Sequence, residues 1–422
     1  MKKIVSLLCL AVLTLGAWAQ QDSIKEPANR FSIDVQVRTR AEYNGGAQVP
    51  LADGQRRAFF INNRARIGLG YQWKWIELKL GVQHTGVWGR NDIKDKLGRV
   101  AMNEAWVKLN WYHDLFFAQI GRQQLSYDDE RILGGLDWNV AGNWHDAIRI
   151  GFDNGTHKVH LLGAYNQQGE NIRGGFLDPS IKSMPYKMMI GAWYHFQAQN
   201  APLGLSVLFL ENGFENGTAG NGSMRHMQTL GAHLTSNPAN CNLAASFYYQ
   251  HNEIGIQNSY LASVRGGYNF DVEKAPISLT LGYDFLSQGF NPLYGTHHKF
   301  YGSMDYFYAS AWANGLQPGL HDAIATFGIK PHKKVNMTLT YHYFATVEDY
   351  TNINPDFKHT LGHELDFQLN AKLHDFVLLQ AGYSFMVGTP TMDYVKGGSH
   401  NMWNDWAFIS LNVNPRVFNK KW

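Results

Sequence analysis

The chain has 422 residues and a formal net charge of +3, too near neutrality for bulk electrostatics to point to a nucleic acid or other polyanion. Its 24 Phe, 21 Tyr, 13 Trp and 42 Gly against only 13 Pro belong to long β structure with aromatic belts, not to a helical protein.

Lys2 and Lys3 precede a short apolar run over 4–15, and Ala17-Trp18-Ala19 supplies small residues for cleavage before Gln20. That run is shorter than the roughly 20 residues a spanning helix needs, so 1–19 reads as a secretory signal peptide and 20–30 as a periplasmic lead-in. Removing Lys2 and Lys3 takes the formal charge from +3 to +1, and removing Cys9 leaves Cys241 unable to form an intramolecular disulfide. No other apolar run reaches helical spanning length, so any membrane segments must be strands.

A strand with one face in lipid and one in water alternates every second residue. Over 31–43, Phe31, Ile33, Val35, Val37, Ala41 and Tyr43 oppose Asp34, Gln36, Arg38, Arg40 and Glu42. The next segment sets Phe59, Ile61, Ala65, Ile67, Leu69 and Tyr71 against Asn62, Arg64 and Arg66. A third sets Ile76, Leu78, Leu80 and Val82 against Glu77, Lys79 and Gln83. The pattern continues near 101–111, 115–122, 146–152, 158–165, 186–196, 203–212, 227–235, 242–251 and 258–269. It returns near 277–285, 321–330, 334–344, 361–373, 376–387 and 405–413, with 115–122, 203–212 and 227–235 the weakest. About eighteen strands result, an even number, as antiparallel closure requires.

The links alternate in length. Those at 72–75, 112–114, 153–157, 197–202, 236–240, 270–276, 331–333 and 374–375 are short, and Asp153-Asn154-Gly155 has the chemistry of a tight hairpin. Those at 44–56, 88–100, 123–145, 166–185, 213–226, 287–320, 345–359 and 388–404 are long, with 252–257 the short exception. This is the asymmetry of periplasmic turns and extracellular loops. A secreted soluble β protein would also alternate, but its strands average about 5–6 residues, whereas most of these run to the length of a tilted membrane crossing. The expected fold is therefore all-β: a transmembrane antiparallel up-and-down barrel over 31–413 in a Gram-negative outer membrane, with 414–422 as a tail.

Gly121-Arg122-Gln123-Gln124-Leu125-Ser126-Tyr127, then Asp129-Glu130-Arg131-Ile132-Leu133-Gly134, Asp137-Trp138 and Asp146-Ala147-Ile148-Arg149, resemble the alginate export family of outer-membrane barrels. His298-Lys299-Phe300-Tyr301-Gly302 with Met304-Asp305-Tyr306-Phe307 is similar to that family's downstream loop pattern. The layout is shared along nearly the whole mature chain, while the specific motifs occupy these two loops. The resemblance implies an eighteen-stranded barrel conducting an acidic polysaccharide outward through a positively charged constriction.

Candidate pore-lining, anion-binding residues follow from the polar faces: Arg38, Arg40, Arg64, Arg66, Lys79, Lys108, Arg122, Arg149 and Arg265, joined by Arg131 of the 123–145 loop. Arginine stays charged and binds a carboxylate through two parallel hydrogen bonds, so a ring of them favours anions. Asp34, Glu77, Glu104, Asp284, Glu364 and Asp366 share the polar faces, so the residues are compatible with a selective ladder or with a charge-balanced mesh. In the motif loop, Gly121, Gln123, Gly134, Asp137, Trp138 and Asp146 are singled out, and a loop this long is expected to fold inward with Arg131 paired to one of its acids. The aromatic-rich loop 287–320 is too apolar to float freely and should pack in the barrel mouth. Tyr43, Tyr71, Trp73, Trp75, Trp111, Tyr112 and Trp406 suit interfacial girdles.

His359 with His363, and His297 with His298, are the nearest approaches to metal-ligand pairs, but residues four apart on a strand lie too far apart for one ion, and no cofactor is expected. No nucleophile-elbow sequence is present, so a barrel enzyme is the weaker class. The expected function is passive passage of an acidic oligo- or polysaccharide or other anionic solute. A general or nutrient-uptake porin is the alternative. Outer-membrane lipid surrounds it, no nucleic acid is involved, and a periplasmic export or uptake component is a further candidate partner.

Overall fold

The computed structural model describes residues 29–90, 100–170, 177, 185–218 and 221–422; the signal peptide and most of the lead-in lie outside the described residues. The strands are β1 (Arg30–Gly45), β2 (Ala58–Trp73), β3 (Ile76–Val87), β4 (Val100–Trp111), β5 (Phe116–Gln123) and β6 (His145–Asp153). Then come β7 (His157–Tyr165), β8 (Met188–Gln197), β9 (Leu203–Thr218), β10 (Asn221–Ser236), β11 (Cys241–Asn252), β12 (Asn258–Phe270) and β13 (Ile277–Leu286). The last are β14 (Leu320–His332), β15 (Val335–Ala345), β16 (Thr360–His374), β17 (Val377–Gly388), β18 (Asn404–Val413) and β19 (Arg416–Lys421). From β1 to β18, neighbours in sequence pair antiparallel, and β1 closes the ring on β18 and β19.

β18 and β19 are one stave in two pieces. Val413 lies opposite Val37 and Arg416 opposite Asp34, with Pro415 between them. Proline donates no hydrogen bond, but its carbonyl accepts from Val35 N at 3.0 Å, so the ladder carries on past it. The barrel thus has eighteen staves, and the stretch expected as a tail supplies the lower part of the last.

Alternation fixes the faces. Val37, Ile67, Leu80, Ile120, Leu161 and Ile409 stay exposed on the outside, while Gln36, Arg38, Arg40 and Glu42 are buried inside. At the Asp153-Asn154-Gly155 turn, Gly155 has φ 86° and donates to Asp153 Oδ1 at 2.8 Å, while Asn154 Oδ1 accepts from His157 N at 2.7 Å. β9 and β10 run well beyond the expected 212 and 227, pairing up to Thr218 opposite Asn221. Their upper halves have no apolar outer face because they project above the lipid, so hydrophobic period cannot reveal them although the backbone ladder continues.

The extracellular half of the lumen is filled. Leu125, Ile132 and Leu133 of the β5–β6 loop share an apolar core with Tyr301, Met304, Tyr306 and Phe307 of the β13–β14 loop and with Met392 and Val395 of a short helix, α1 (Pro390–Lys396). Burying each such side chain contributes roughly 1.5–3 kcal/mol, which is why loops this apolar fold inward. Backbone bonds join the two loops: Tyr294 N to Ile132 O and Gly134 N to Tyr294 O, both 3.0 Å, and Thr296 N to Glu130 O at 2.8 Å.

Candidate functional site

β1 and β2 bring the first arginines together. Their register sets Arg38 opposite Arg64 and Gln36 opposite Arg66, all on the inner face. The β5–β6 loop lands on this cluster with Asp137-Trp138. Arg38 donates to the carbonyls of Asp137 at 2.6 Å and of Trp138 and Asn139 at 3.1 Å, while Arg64 donates to Asp137 Oδ1 at 2.7 Å. Arg40 donates to Trp138 O at 2.7 Å and Glu42 Oε1 at 2.8 Å, with its guanidinium 3.8 Å over the Trp138 ring. The opposite face of Trp138 stacks on His298 at 4.0 Å, and Trp406 and Phe408 meet its edge. Trp406 is therefore a lumenal wall residue, not a girdle residue: its register partner Asn44 lies on the inner face and its Nε1 donates to Glu42 at 3.3 Å.

These guanidiniums form a socket for the loop. Arg38, Arg40 and Arg64 are only 6, 6 and 0 % exposed, whereas the Asp137 side chain keeps 69 % of its surface open. Enclosure pushes the Asp137 carboxyl up, but Arg64, Arg38 and Arg66 outweigh it and hold the group below the usual carboxylate range. Arg66 hydrogen-bonds Gln83 at 2.7 Å and lies 5.2 Å over Trp144 of the same loop.

The other end of the loop is clamped nearly across the ring. Arg131 donates to Asp284 Oδ1 and Oδ2, both at 3.0 Å, to Ser263 at 2.8 Å and to Asp129 at 2.7 Å. Arg265 grips the same carboxylate at 2.8 and 2.7 Å. Burial would lower the Arg131 pKa, but Asp284, Tyr301 and Asp129 raise it well above the ordinary arginine value. The expected inward fold of this loop, with Arg131 on a loop acid, is what the geometry has, with Asp284 of the wall as the added partner.

Below the socket lies a cavity of about 510 Å³ lined by Arg66, Lys79 and Arg416 with Asp34, Glu104 and Asp137. Gly68 and Gly81 face each other across β2 and β3 and leave this space unfilled. Asp34 accepts from Arg416 at 2.7 Å and lies 3.4 Å from Lys79. Lys108 lies 3.4 Å from Glu77, Trp106 donates to Glu104 at 3.2 Å, and Arg149 donates to Gln119 at 2.7 Å. Arg416 is the residue the sequence reading misses, since Pro415 reads as a break; the alternation of Arg416 with outward Val417 is its only signal.

Three other expectations change. Arg122 lies beside Ile120's face, opposite Ala105, so it and its partner Asp146, 2.9 Å away, point outward near the extracellular rim. The positive φ of Gly121, 119°, marks the irregularity next to it. Among the described residues, Glu364 and Asp366 meet no arginine: they accept from the backbone of the β13–β14 loop, Met304 N at 2.9 Å and Ser303 N at 3.3 Å. Gln123 and Gly134 are scaffolding, the first donating to Ala147 O at 2.8 Å, the second packed against Thr296 where a Cβ has no room.

Solved barrels share this architecture. OccAB1 of Acinetobacter baumannii superposes with a TM-score of 0.62 at 11% identity, covering 94% of this chain and 100% of its own. OccK2 (OpdF) of Pseudomonas aeruginosa, in complex with glucuronate, gives 0.62 at 11% identity, covering 92% and 98%. Wzi of Escherichia coli, an outer-membrane carbohydrate-binding β-barrel involved in group 1 capsule assembly, gives 0.51 at 10% identity, covering 90% and 84%. In sequence, no curated protein matches. The sequence profile described as alginate export matches residues 29–392, nearly the whole chain. With a closed eighteen-stave barrel whose loops fold into the lumen, this places the protein in a Gram-negative outer membrane, and the chain belongs to the alginate export family.

Proposed function

We propose that this outer-membrane barrel is a passive channel, not an enzyme, and that its solute is an acidic oligo- or polysaccharide. The observation that carries the reading is the charge imbalance at the loop socket. Arg38, Arg40, Arg64 and Arg66 converge from two adjacent strands, yet among the described residues the only carboxylates that accept hydrogen bonds from them are Glu42 and Asp137, the other acceptors being neutral carbonyls and Gln83. An excess of fixed positive charge in a narrow, low-dielectric space lowers the barrier to an anion and raises it for a cation. Arg66, Lys79 and Arg416 continue the basic groups into the cavity below, where Asp34, Glu104 and Asp137 balance them and a carboxylate could pass from one to the next. The glucuronate bound to a fold neighbour supports the chemical class, since a uronate is one unit of such a polymer.

Planar-bilayer recording tests this. The open channel should prefer chloride to potassium, polyuronate should block its current, and Arg66→Ala should weaken both effects. A cation-preferring pore indifferent to polyuronate would overturn the reading and leave a general porin in its place.

A further inference from the structure

On the arc of the ring opposite the arginine socket, strand register builds a second polar row. Lys158 of β7 lies opposite His195 of β8, His195 opposite Ser206 of β9, Ser206 opposite His233 of β10, and His233 opposite Ser246 of β11. Lys158, His195, Ser206 and His233 of this row line, with Asp128 and Trp193, a separate cavity of about 270 Å³. Each imidazole commits one nitrogen to a serine: His195 Nδ1 to Ser206 at 2.9 Å and His233 Nδ1 to Ser246 at 2.8 Å. In the arrangement where Ser246 gives its proton to Asp129, 3.4 Å away, His233 Nδ1 donates to Ser246 and the neutral ring presents a bare Nε2 lone pair. Among the described residues, neither Nε2 has a protein partner.

We propose that His195 and His233 form a second carboxylate-binding site in the lumen, switched on by proton uptake. This rests on the reading of the solute as acidic. A neutral His233 repels a carboxylate with its lone pair; the imidazolium offers an N–H at the same place. The facing groups allow it. Asp128, which accepts from Trp193 Nε1 at 2.9 Å, lies on the loop side, and Asp129 reaches His233 through Ser246. On β7, Lys158 is 3.2 Å from Asp153, and His160 packs on Trp193 at 5.0 Å. The row thus couples to the clamp, because Asp129 also accepts from Arg131 at 2.7 Å. The lumen then holds two anion sites: one with permanent charge, and one whose charge follows the medium.

The test is block of single-channel current by glucuronate, with chloride reversal potentials measured in parallel, at about pH 7.5 and about pH 5.5. Acidification should tighten block about tenfold, the effect of one charge-assisted hydrogen bond, and shift the reversal potential toward chloride. His195→Gln with His233→Gln should remove both pH-dependent changes while keeping the conductance at the higher pH, which also verifies folding. Arg66→Gln should weaken block at both pH values and keep the pH increment. An unchanged pH increment in the double glutamine variant would overturn the proposal. If glucuronate blocks at neither pH while the chloride shift still requires the two histidines, the acidic-sugar reading fails and the proton-switched anion site stands.

Discussion

The two anchors of the β5–β6 loop use the same chemistry to different ends. At one, Arg131 and Arg265 enclose the Asp284 carboxylate, which has no exposed surface. At the other, Asp137 meets Arg38 and Arg64 while most of its carboxylate stays open to the cavity. A dry ion pair costs a great deal to break, because the remaining charge has neither partner nor water. A wet one is screened, and a competing anion can take the place of its acid. The first anchor is a rivet holding the constriction in place; the second is where a passing carboxylate can exchange with the protein's own.

The largest effect should come from breaking the rivet. Arg131→Ala leaves Asp284 with Arg265 and removes the loop's buried charged contact with the wall at this anchor. Thermal unfolding in detergent should show a loss on the order of 3–5 kcal/mol, and single-channel conductance should rise as the loop swings free. Equal conductance with equal stability would mean that the apolar core between the loops suffices.

Asp137→Ala should act in the other direction. The open carboxylate stabilises by no more than about 1 kcal/mol, yet its removal leaves Arg38 and Arg64 without a carboxylate partner and should increase anion preference in reversal-potential measurements. Its pH behaviour follows from the lowered pKa. The folded chain holds this group ionised more readily than the unfolded chain does, so its stabilisation is present above the ordinary carboxylate range and is lost only as pH falls through the depressed value. Acidifying to about pH 5 should therefore leave the Asp137 contribution intact.

The smallest effect belongs to Arg122→Ala. The pair with Asp146 is solvent-exposed on the outer face, so stability should move by less than about 1 kcal/mol and ion selectivity not at all. A selectivity change there would contradict the assignment of faces on β5.

Legibility from the sequence tracked the physics of each segment. Where one face meets lipid, as in β1 to β3, apolar residues must fall at every second position, and the inward placement of Arg38, Arg64 and Arg66 was readable. It failed where lipid no longer imposes a pattern: in the upper halves of β9 and β10, beyond Pro415, and near the end of β5, where Arg122 was expected on the lumen face and instead shares the outward parity of Ile120. Trp406 showed the same limit, since an aromatic at a strand end reads as a girdle residue unless its register is known.

By itself, then, the sequence determined a barrel, the sides of most of its staves, and two long loops, one of them too apolar to remain in solvent, because those follow from local period and composition. Tertiary structure alone decided which charges meet. Asp137 lies far along the chain from Arg38, Arg131 farther still from Asp284, and the histidine–serine row exists only because four strands align at one register. Such pairings depend on ring closure and stave offset, which no single strand's residues encode.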